Sequence, residues 1–123
     1  MTSDSARYRA LTATETAVLH RILSSEFSDA DRLRAQLGDA MVVKKNWTDN
    51  SPSVDIVVPE SAERARLDNG PVPVAAHVVD DSGGFLGELL VWVTDGRIAA
   101  LEYSWVTDDP PNGLPDPRMI RVS

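Results

Sequence analysis

The fold of this chain is decided by one stretch, Phe85-Leu-Gly-Glu-Leu-Leu-Val-Trp-Val-Thr-Asp-Gly-Arg-Ile-Ala-Ala-Leu-Glu-Tyr-Ser-Trp105. Two runs rich in apolar and aromatic residues flank the dipeptide Asp95-Gly96. A type I′ turn requires positive φ at both of its central residues, and Asp-Gly meets this requirement readily. The stretch therefore predicts a β-hairpin that turns at Asp95-Gly96.

The turn also predicts which side chains share a face. It pairs Thr94 with Arg97 and Trp92 with Ala99, and side chains then alternate along each strand. The predicted aromatic face carries Leu86, Glu88, Leu90, Trp92, Ala99, Leu101, Tyr103 and Trp105. The predicted smoother face carries Phe85, Gly87, Leu89, Val91, Val93, Ile98, Ala100 and Glu102. Because Glu88 and Glu102 fall on opposite faces in this register, we expect no acid–base pair between them.

Both predicted faces are largely apolar, which indicates that the hairpin is covered at least in part on both sides. The smoother face suits helices packing against it. The aromatic face has two interpretations. It is either a second packing surface with Glu88 at a solvated edge, or part of a binding surface, since exposed aromatic patches mark contact sites.

Length and composition indicate one domain, residues 1–123, with a single hydrophobic core. The chain is 42% hydrophobic and has no cysteine, which excludes a disulfide framework, a thiolate nucleophile and a cysteine-based zinc site. The N-terminus lacks the apolar run of a signal peptide, and no run is long enough to span a bilayer. We therefore expect a soluble, cytoplasmic protein without a membrane partner.

The formal net charge of −7 is unevenly distributed along the chain. Residues 1–67 contain 10 acids and 9 bases, whereas residues 68–117 contain 9 acids and a single base, Arg97. An acidic surface repels phosphate backbones, so we expect no nucleic-acid partner. The same surface attracts basic proteins, although acidity also serves solubility alone.

Two helices are predicted near the start of the chain, after a flexible polar arm at residues 1–10. Thr12-Ala-Thr-Glu15 matches a capping box, and the apolar stripe behind it predicts a helix over 13–26. Ser28-Asp-Ala-Asp31 repeats the capping pattern before a second stripe that ends at Gly38, which predicts a helix over 29–37.

The rest of the chain predicts an antiparallel sheet of about five strands. The strands are 40–47, 53–58, 74–79 and the two arms of the hairpin, with a loop at 59–73. Residues 106–118 form a proline-rich, acidic surface segment that cannot be a central strand, and residues 119–122 favour a short terminal strand. The predicted fold is α+β, with two N-terminal helices packed on one face of the sheet.

The common catalytic and cofactor motifs are missing from the sequence. There is no nucleophile elbow and no phosphate-binding glycine loop. Surface exposure or strand packing accounts for His20 and His77, and Asp80-Asp81 is typical of a turn rather than a calcium loop. We therefore predict no catalytic residue, no metal site and no cofactor, and leave open whether the protein is an enzyme.

One cluster favours binding. Trp105 leads into Thr107-Asp-Asp-Pro-Pro111, which places an aromatic anchor beside a stiff acidic segment. An ordinary strand end followed by a loop is the alternative. Together with the aromatic face, this cluster gives six candidate binding residues: Glu88, Trp92, Tyr103, Trp105, Asp108 and Asp109.

The last third of the chain resembles a group of small bacterial proteins, of a kind common in actinobacteria. The resemblance rests on Trp92-Val-Thr-Asp-Gly96, on Leu101-Glu-Tyr-Ser-Trp105 and on the segment from Thr107 to Pro117. That group has no assigned activity to transfer. In size and charge alone, the chain also resembles immunity proteins that neutralise toxins.

Two functions follow as hypotheses. The first is a non-enzymatic protein-binding domain whose acidic half contacts a basic protein, such as a toxin or nuclease. The second is a small-molecule-binding protein or enzyme with a pocket between helices and sheet that uses His77, Glu102 or Tyr103. A homodimer through the aromatic face is compatible with either.

Overall fold

The computed structural model describes residues 7–44, 47 and 51–123. It contains two α-helices, α1 (Ala13–Leu23) and α2 (Ala30–Gln36), and short 3₁₀ turns at Leu37–Asp39 and Pro117–Met119. Its eight strands are β1 (Tyr8–Ala10), β2 (Met41–Val43), β3 (Val54–Val57), β4 (Gly70–Pro71), β5 (Ala76–Val79), β6 (Phe85–Thr94), β7 (Arg97–Trp105) and β8 (Ile120–Val122).

All eight strands join one antiparallel sheet in the order β1-β2-β3-β7-β6-β5-β8, and β4 pairs with β6 beside β5. The α+β class is confirmed, but the expected count of about five strands is wrong. The strands that were not expected are short ones at residues 8–10 and 70–71, whereas β8 confirms the short terminal strand expected at residues 119–122. Such segments have little periodicity of their own and form strands because an existing edge offers hydrogen bonds.

The first strand lies in the N-terminal segment, residues 1–10, that was expected to be a flexible arm. Tyr8 pairs with Val43 and Ala10 pairs with Met41. A strand therefore precedes both helices. Arg9 of this strand holds Glu15 of α1 through two hydrogen bonds of 2.9 and 2.7 Å, which joins the sheet edge to the helix layer.

The predicted capping box of the first helix is confirmed. The Glu15 N–H donates to Thr12 Oγ1 (3.0 Å), and the Thr12 N–H donates to Glu15 Oε1 (2.9 Å). The helix ends at Leu23 rather than at 26. The second box does not form: Asp29 precedes α2 with φ of 63°, and its carboxylate accepts the Arg66 N–H instead.

The two helices and the loops around them cover one face of the sheet, called the inner face. The core consists of apolar side chains from α1, such as Leu19 and Ile22, packed against sheet residues such as Leu89, Val91 and Ile98. These five side chains are at most 1% exposed. Their burial supplies the main driving force for folding.

The hairpin confirms the predicted turn but not the predicted register. Asp95 and Gly96 have φ of 53° and 75°, and Val93 pairs with Ile98 as expected. A β-bulge then pairs Trp92 with Ala100 instead of Ala99. Every later residue of β7 is shifted by one position against β6, and its side chain changes face.

Burial explains why the bulge is favourable. Leu101 and Tyr103 are 0% and 5% exposed on the inner face. Without the bulge, Glu102 would point into the core in their place, and a buried carboxylate without a partner is costly. Phe85 also differs from its prediction, because an irregularity in the pairing of β5 with β6 leaves it 49% exposed.

Candidate functional site

The candidate site is the face of the sheet opposite the helices, called the outer face. Among the described residues, no helix lies on it. Alternation from the buried positions of each strand assigns to it Met41, Asp55, Val57, His77, Glu88, Leu90, Trp92 and Glu102, and Phe85 joins them through its ring contact with His77 after the irregularity in β6. Met41, Val57 and Phe85 are 37%, 39% and 49% exposed, so the face presents apolar surface to solvent.

Two hydrogen bonds between an indole and a carboxylate define the centre of the outer face. Trp92 Nε1 donates to Glu102 Oε1, and Trp47 Nε1 donates to Asp55 Oδ1, each at 2.9 Å. Asp55 pairs with Ala100, which pairs with Trp92. Adjacent strands lie about 4.8 Å apart, so Glu102 on β7 is one strand spacing from the strand of Asp55, and Trp92 on β6 is two strand spacings away.

A third polar contact lies toward the other end of the face. His77 of β5 is the cross-strand partner of Glu88, with 4.0 Å between Nε2 and Oε2, and its ring meets Phe85 edge-on at 5.2 Å. Arg121 is the partner of His77 on the next strand. Both side chains of the His77–Glu88 pair are about half exposed, at 50% and 42%, so water weakens their attraction.

The structure separates the six predicted binding residues. Glu88 and Trp92 lie on the outer face as expected. Tyr103 and Trp105 were predicted to share that face, and the bulge places them on the inner face instead. The remaining two, Asp108 and Asp109, are exposed in the segment after β7. The prediction that Glu88 and Glu102 point to opposite faces is also wrong, because both lie on the outer face.

Tyr103 has a packing role. Burial raises the pKa of its hydroxyl above the ordinary value of 10.0. Its ring meets Trp105 edge-on at 6.5 Å, and its ring carbon Cε1 lies against Gly87, where an added Cβ would be 2.8 Å away. Gly87 therefore provides the space that the tyrosine ring occupies.

Two members of the site, Trp47 and Asp55, escaped the sequence analysis as binding residues, and Glu102 was named there only for a pocket between helices and sheet. Trp47 and Asp55 are eight residues apart in the sequence, and only the pairing of β3 with β7 brings Asp55 beside the hairpin. The sequence offers one indication of this contact, namely Trp47 followed eight residues later by Asp55 within a run that predicts a strand. That pattern indicates a contact only when the register is known.

The hypothesis of a pocket between helices and sheet required His77, Glu102 or Tyr103 to line it. His77 and Glu102 lie on the outer face, whereas Tyr103 is packed in the core on the inner face. A cleft of about 790 Å³ lies at the hairpin turn, with Arg64 and Arg66 in its lining. In the described ranges, no group of three His, Cys, Asp or Glu residues is arranged to hold a metal ion.

The comparisons with known proteins provide no family for this chain. No family model matches it, and no curated protein and no solved structure gives a significant match. Neither helix within the described residues is long and apolar enough to cross a membrane. The function therefore has to be argued from the outer face itself.

Proposed function

We propose that this protein is a non-enzymatic protein-binding domain whose outer face contacts a basic segment of another protein. The observation that carries the proposal is the pair of indole–carboxylate hydrogen bonds, Trp92 to Glu102 and Trp47 to Asp55, on a face that no helix of the described part of the chain covers. Tryptophan is enriched at protein interfaces, and exposed apolar surface beside it is typical of a contact site.

The chemistry of the two pairs favours a cationic partner. Each carboxylate uses one oxygen to accept an indole N–H, and the described residues offer no hydrogen bond to the second oxygen. The second oxygen can therefore accept from a partner cation, while the neighbouring indole ring offers its face. An arginine side chain uses both features at once, because its guanidinium is planar and stacks on aromatic rings.

The charge of the surrounding chain supports the same choice. Residues 98–117 contain four acids and no lysine or arginine, and the whole protein has a net charge of −7. An acidic field of this kind increases the rate at which a basic protein associates. A basic toxin or nuclease, neutralised as immunity proteins neutralise theirs, is the partner class that fits a small acidic domain.

The proposal is tested with defined cationic probes. Nona-arginine and nona-lysine peptides are titrated into the ¹⁵N-labelled protein while the two indole N–H signals of Trp47 and Trp92 are followed. We expect both indole signals to shift, and we expect the arginine peptide to bind more tightly, since lysine stacks less well on aromatic rings.

A pair of matched double variants separates the outer face from general acidity. Asp55→Asn with Glu102→Gln removes two charges but keeps an amide oxygen for each indole N–H. Glu26→Gln with Asp31→Asn removes two charges from exposed side chains on the helix layer. The first double variant is expected to weaken nona-arginine binding by about tenfold and the second by less than about twofold. Equal weakening by both would refute the proposal.

A further inference from the structure

On each outermost edge of the sheet, one backbone carbonyl accepts a hydrogen bond from an arginine side chain. Arg9 Nη1 donates to the Ala10 carbonyl of β1 (3.0 Å), and Arg21 Nη2 donates to the Ile120 carbonyl of β8 (3.1 Å). The ladder contacts Lys44 N–H to Arg7 O and Ser123 N–H to Ala75 O show by alternation that both carbonyls point away from the sheet. A charged side chain that occupies a backbone carbonyl at a sheet edge hinders the addition of another strand there.

Among the described residues, a third stretch of edge, along the end of β7, has no strand paired with it and is called the open edge. The ladder between β3 and β7 ends at the Val54–Leu101 pair, whereas β7 continues to Trp105. The Tyr103 N–H points toward the β3 side and donates to Ser53 Oγ (2.9 Å), while the Val106 N–H points the other way, to Leu86. By alternation, the N–H and C=O of Trp105 point to the β3 side as well.

This open edge has backbone groups available for pairing. The described residues give no hydrogen-bond partner to the Tyr103 carbonyl, the Trp105 N–H or the Trp105 carbonyl on that side. A groove of about 250 Å³ lies along the edge, between residues 51–53 and β7, with Trp47 and Glu102 among its lining side chains. The groove therefore joins the open edge to the outer face.

We propose that the end of β7 receives an extended basic segment of the partner protein as an added strand, a binding mode known as β-augmentation. This inference rests on the proposed function for the charge of the partner. Alternate side chains of the added strand would face Glu102 and Asp55 on the outer face, while its backbone pairs with the Tyr103 carbonyl and with the N–H and C=O of Trp105.

The charge of the residues beside the groove indicates which kind of segment it binds. Glu102 lines the groove, Asp55 lies on the adjacent strand β3, and neither residues 51–57 nor residues 98–105 contain a lysine or arginine. A second copy of this chain would bring the same two carboxylates against them, and such like-charge contacts oppose association. A basic strand is favoured for the same reason.

The test compares two peptides with identical charge. The first is acetyl-Arg-Val-Arg-Val-Arg-Val-Arg-amide, and the second is the same peptide with every backbone amide N-methylated, so that it cannot donate hydrogen bonds to the edge. We expect the first to bind at least about tenfold more tightly, the ratio expected for the two lost hydrogen bonds to the Tyr103 and Trp105 carbonyls. We also expect the Trp105 amide to shift and its hydrogen exchange to slow when the first peptide binds.

A matched pair of protein variants tests the same edge. Trp105→Val and Trp105→Pro both remove the indole, but only proline also removes the Trp105 N–H. Proline is tolerated where an edge N–H faces solvent, and circular dichroism checks that both variants are folded. Trp105→Pro is expected to bind the unmethylated peptide more weakly than Trp105→Val, with no such difference for the methylated one.

The outcomes separate this inference from the proposed function. If both peptides bind equally and Asp55→Asn with Glu102→Gln weakens both, the outer face binds cations but the added strand is refuted. If neither peptide binds and nona-arginine fails as well, the proposed function itself is refuted. Sedimentation that shows a dimer of the wild type, lost in Trp105→Pro but not in Trp105→Val, would assign the edge to a second copy and overturn the basic-strand assignment.

Discussion

Replacing Gln36 by methionine is expected to lower the free energy of unfolding by about 2–4 kcal/mol. Gln36 is the last residue of α2 and is only 3% exposed. Its Nε2 donates to the Gly96 carbonyl (2.9 Å) and the Glu63 carbonyl (3.0 Å), and its Oε1 accepts the Ile98 N–H (3.0 Å). One amide therefore joins a helix, a loop and the start of β7.

The magnitude follows from the groups that would lose their partner. Methionine has a similar length, so it fills the space and the packing cost is small. The N–H of Ile98, a residue only 1% exposed, would be left buried and unpaired, which costs about 1–3 kcal/mol. The Glu63 carbonyl would lose a hydrogen bond worth about 1 kcal/mol, whereas the Gly96 carbonyl keeps the Ala65 N–H at 2.9 Å.

Urea unfolding measures the effect. With a denaturant slope of about 2 kcal/mol per molar, a loss of this size lowers the urea midpoint by roughly 1–2 M. Ala35→Met, on the exposed side of the same helix, is the matched control and is expected to change the stability by less than about 0.5 kcal/mol. If Gln36→Met behaves like Ala35→Met, the amide does not hold the three segments together and the reasoning is wrong.

Three further predictions concern the turn and two titrating groups. Gly96→Ala is expected to lower the free energy of unfolding by more than about 2 kcal/mol, because Gly96 has φ of +75° and an added Cβ would lie 2.5 Å from the Ala65 carbonyl oxygen. A Cβ at Gly113 meets nothing within 4 Å, so Gly113→Ala is expected to leave the urea midpoint unchanged. Burial raises the pKa of Glu15, but hydrogen bonds from Arg9 and the helix N-cap outweigh this effect and hold the pKa below 4.5. The stability that this carboxylate contributes is therefore present above pH 4.5 and is lost as the pH falls through the lowered pKa. The difference in unfolding free energy between wild type and Glu15→Gln should shrink on acidification. Burial raises the pKa of Tyr103 above 10.0, so the contribution of this tyrosine to stability is present below pH 10.0 and is lost as the pH rises through the raised pKa. Ultraviolet titration should show a tyrosinate signal that forms at higher pH than the other tyrosine and disappears in Tyr103→Phe.

Each of these predictions has a contrary result. Equal urea midpoints for Gly96→Ala and Gly113→Ala would show that the turn relaxes without cost. A stability difference for Glu15→Gln that does not change with pH would show that the charge of the carboxylate contributes nothing. A late tyrosinate component that persists in Tyr103→Phe would assign the raised pKa to another group.

Local features of the fold were predictable from the residues that form them. The capping box at Thr12 and Glu15 lies within four consecutive positions, and its hydrogen bonds form wherever the helix begins. The turn at Asp95-Gly96 depends on the φ preferences of two adjacent residues. The short strands at residues 8–10 and 70–71 could not be predicted in this way, because they exist through pairing with distant strands.

The candidate site was predictable only in part. Glu88 and Trp92 belong to β6, whose alternation is regular along this part of the strand, and their placement on one face was correct. Tyr103 lies beyond the bulge in β7, so its predicted face was wrong. Trp47 was not expected at the site, since its partner Asp55 joins it only through the sheet.

The sequence by itself determined the α+β class, the start of α1 and the position of the hairpin turn. Each depends on hydrogen bonds, dihedral preferences or apolar spacing within a short segment. Tertiary structure decided which face of β7 carries Glu102 and which carries Tyr103, because a bulge that buries Leu101 and Tyr103 is more favourable than a regular ladder that buries a carboxylate. It also decided where β3 stops, and therefore which part of the edge of β7 is left open.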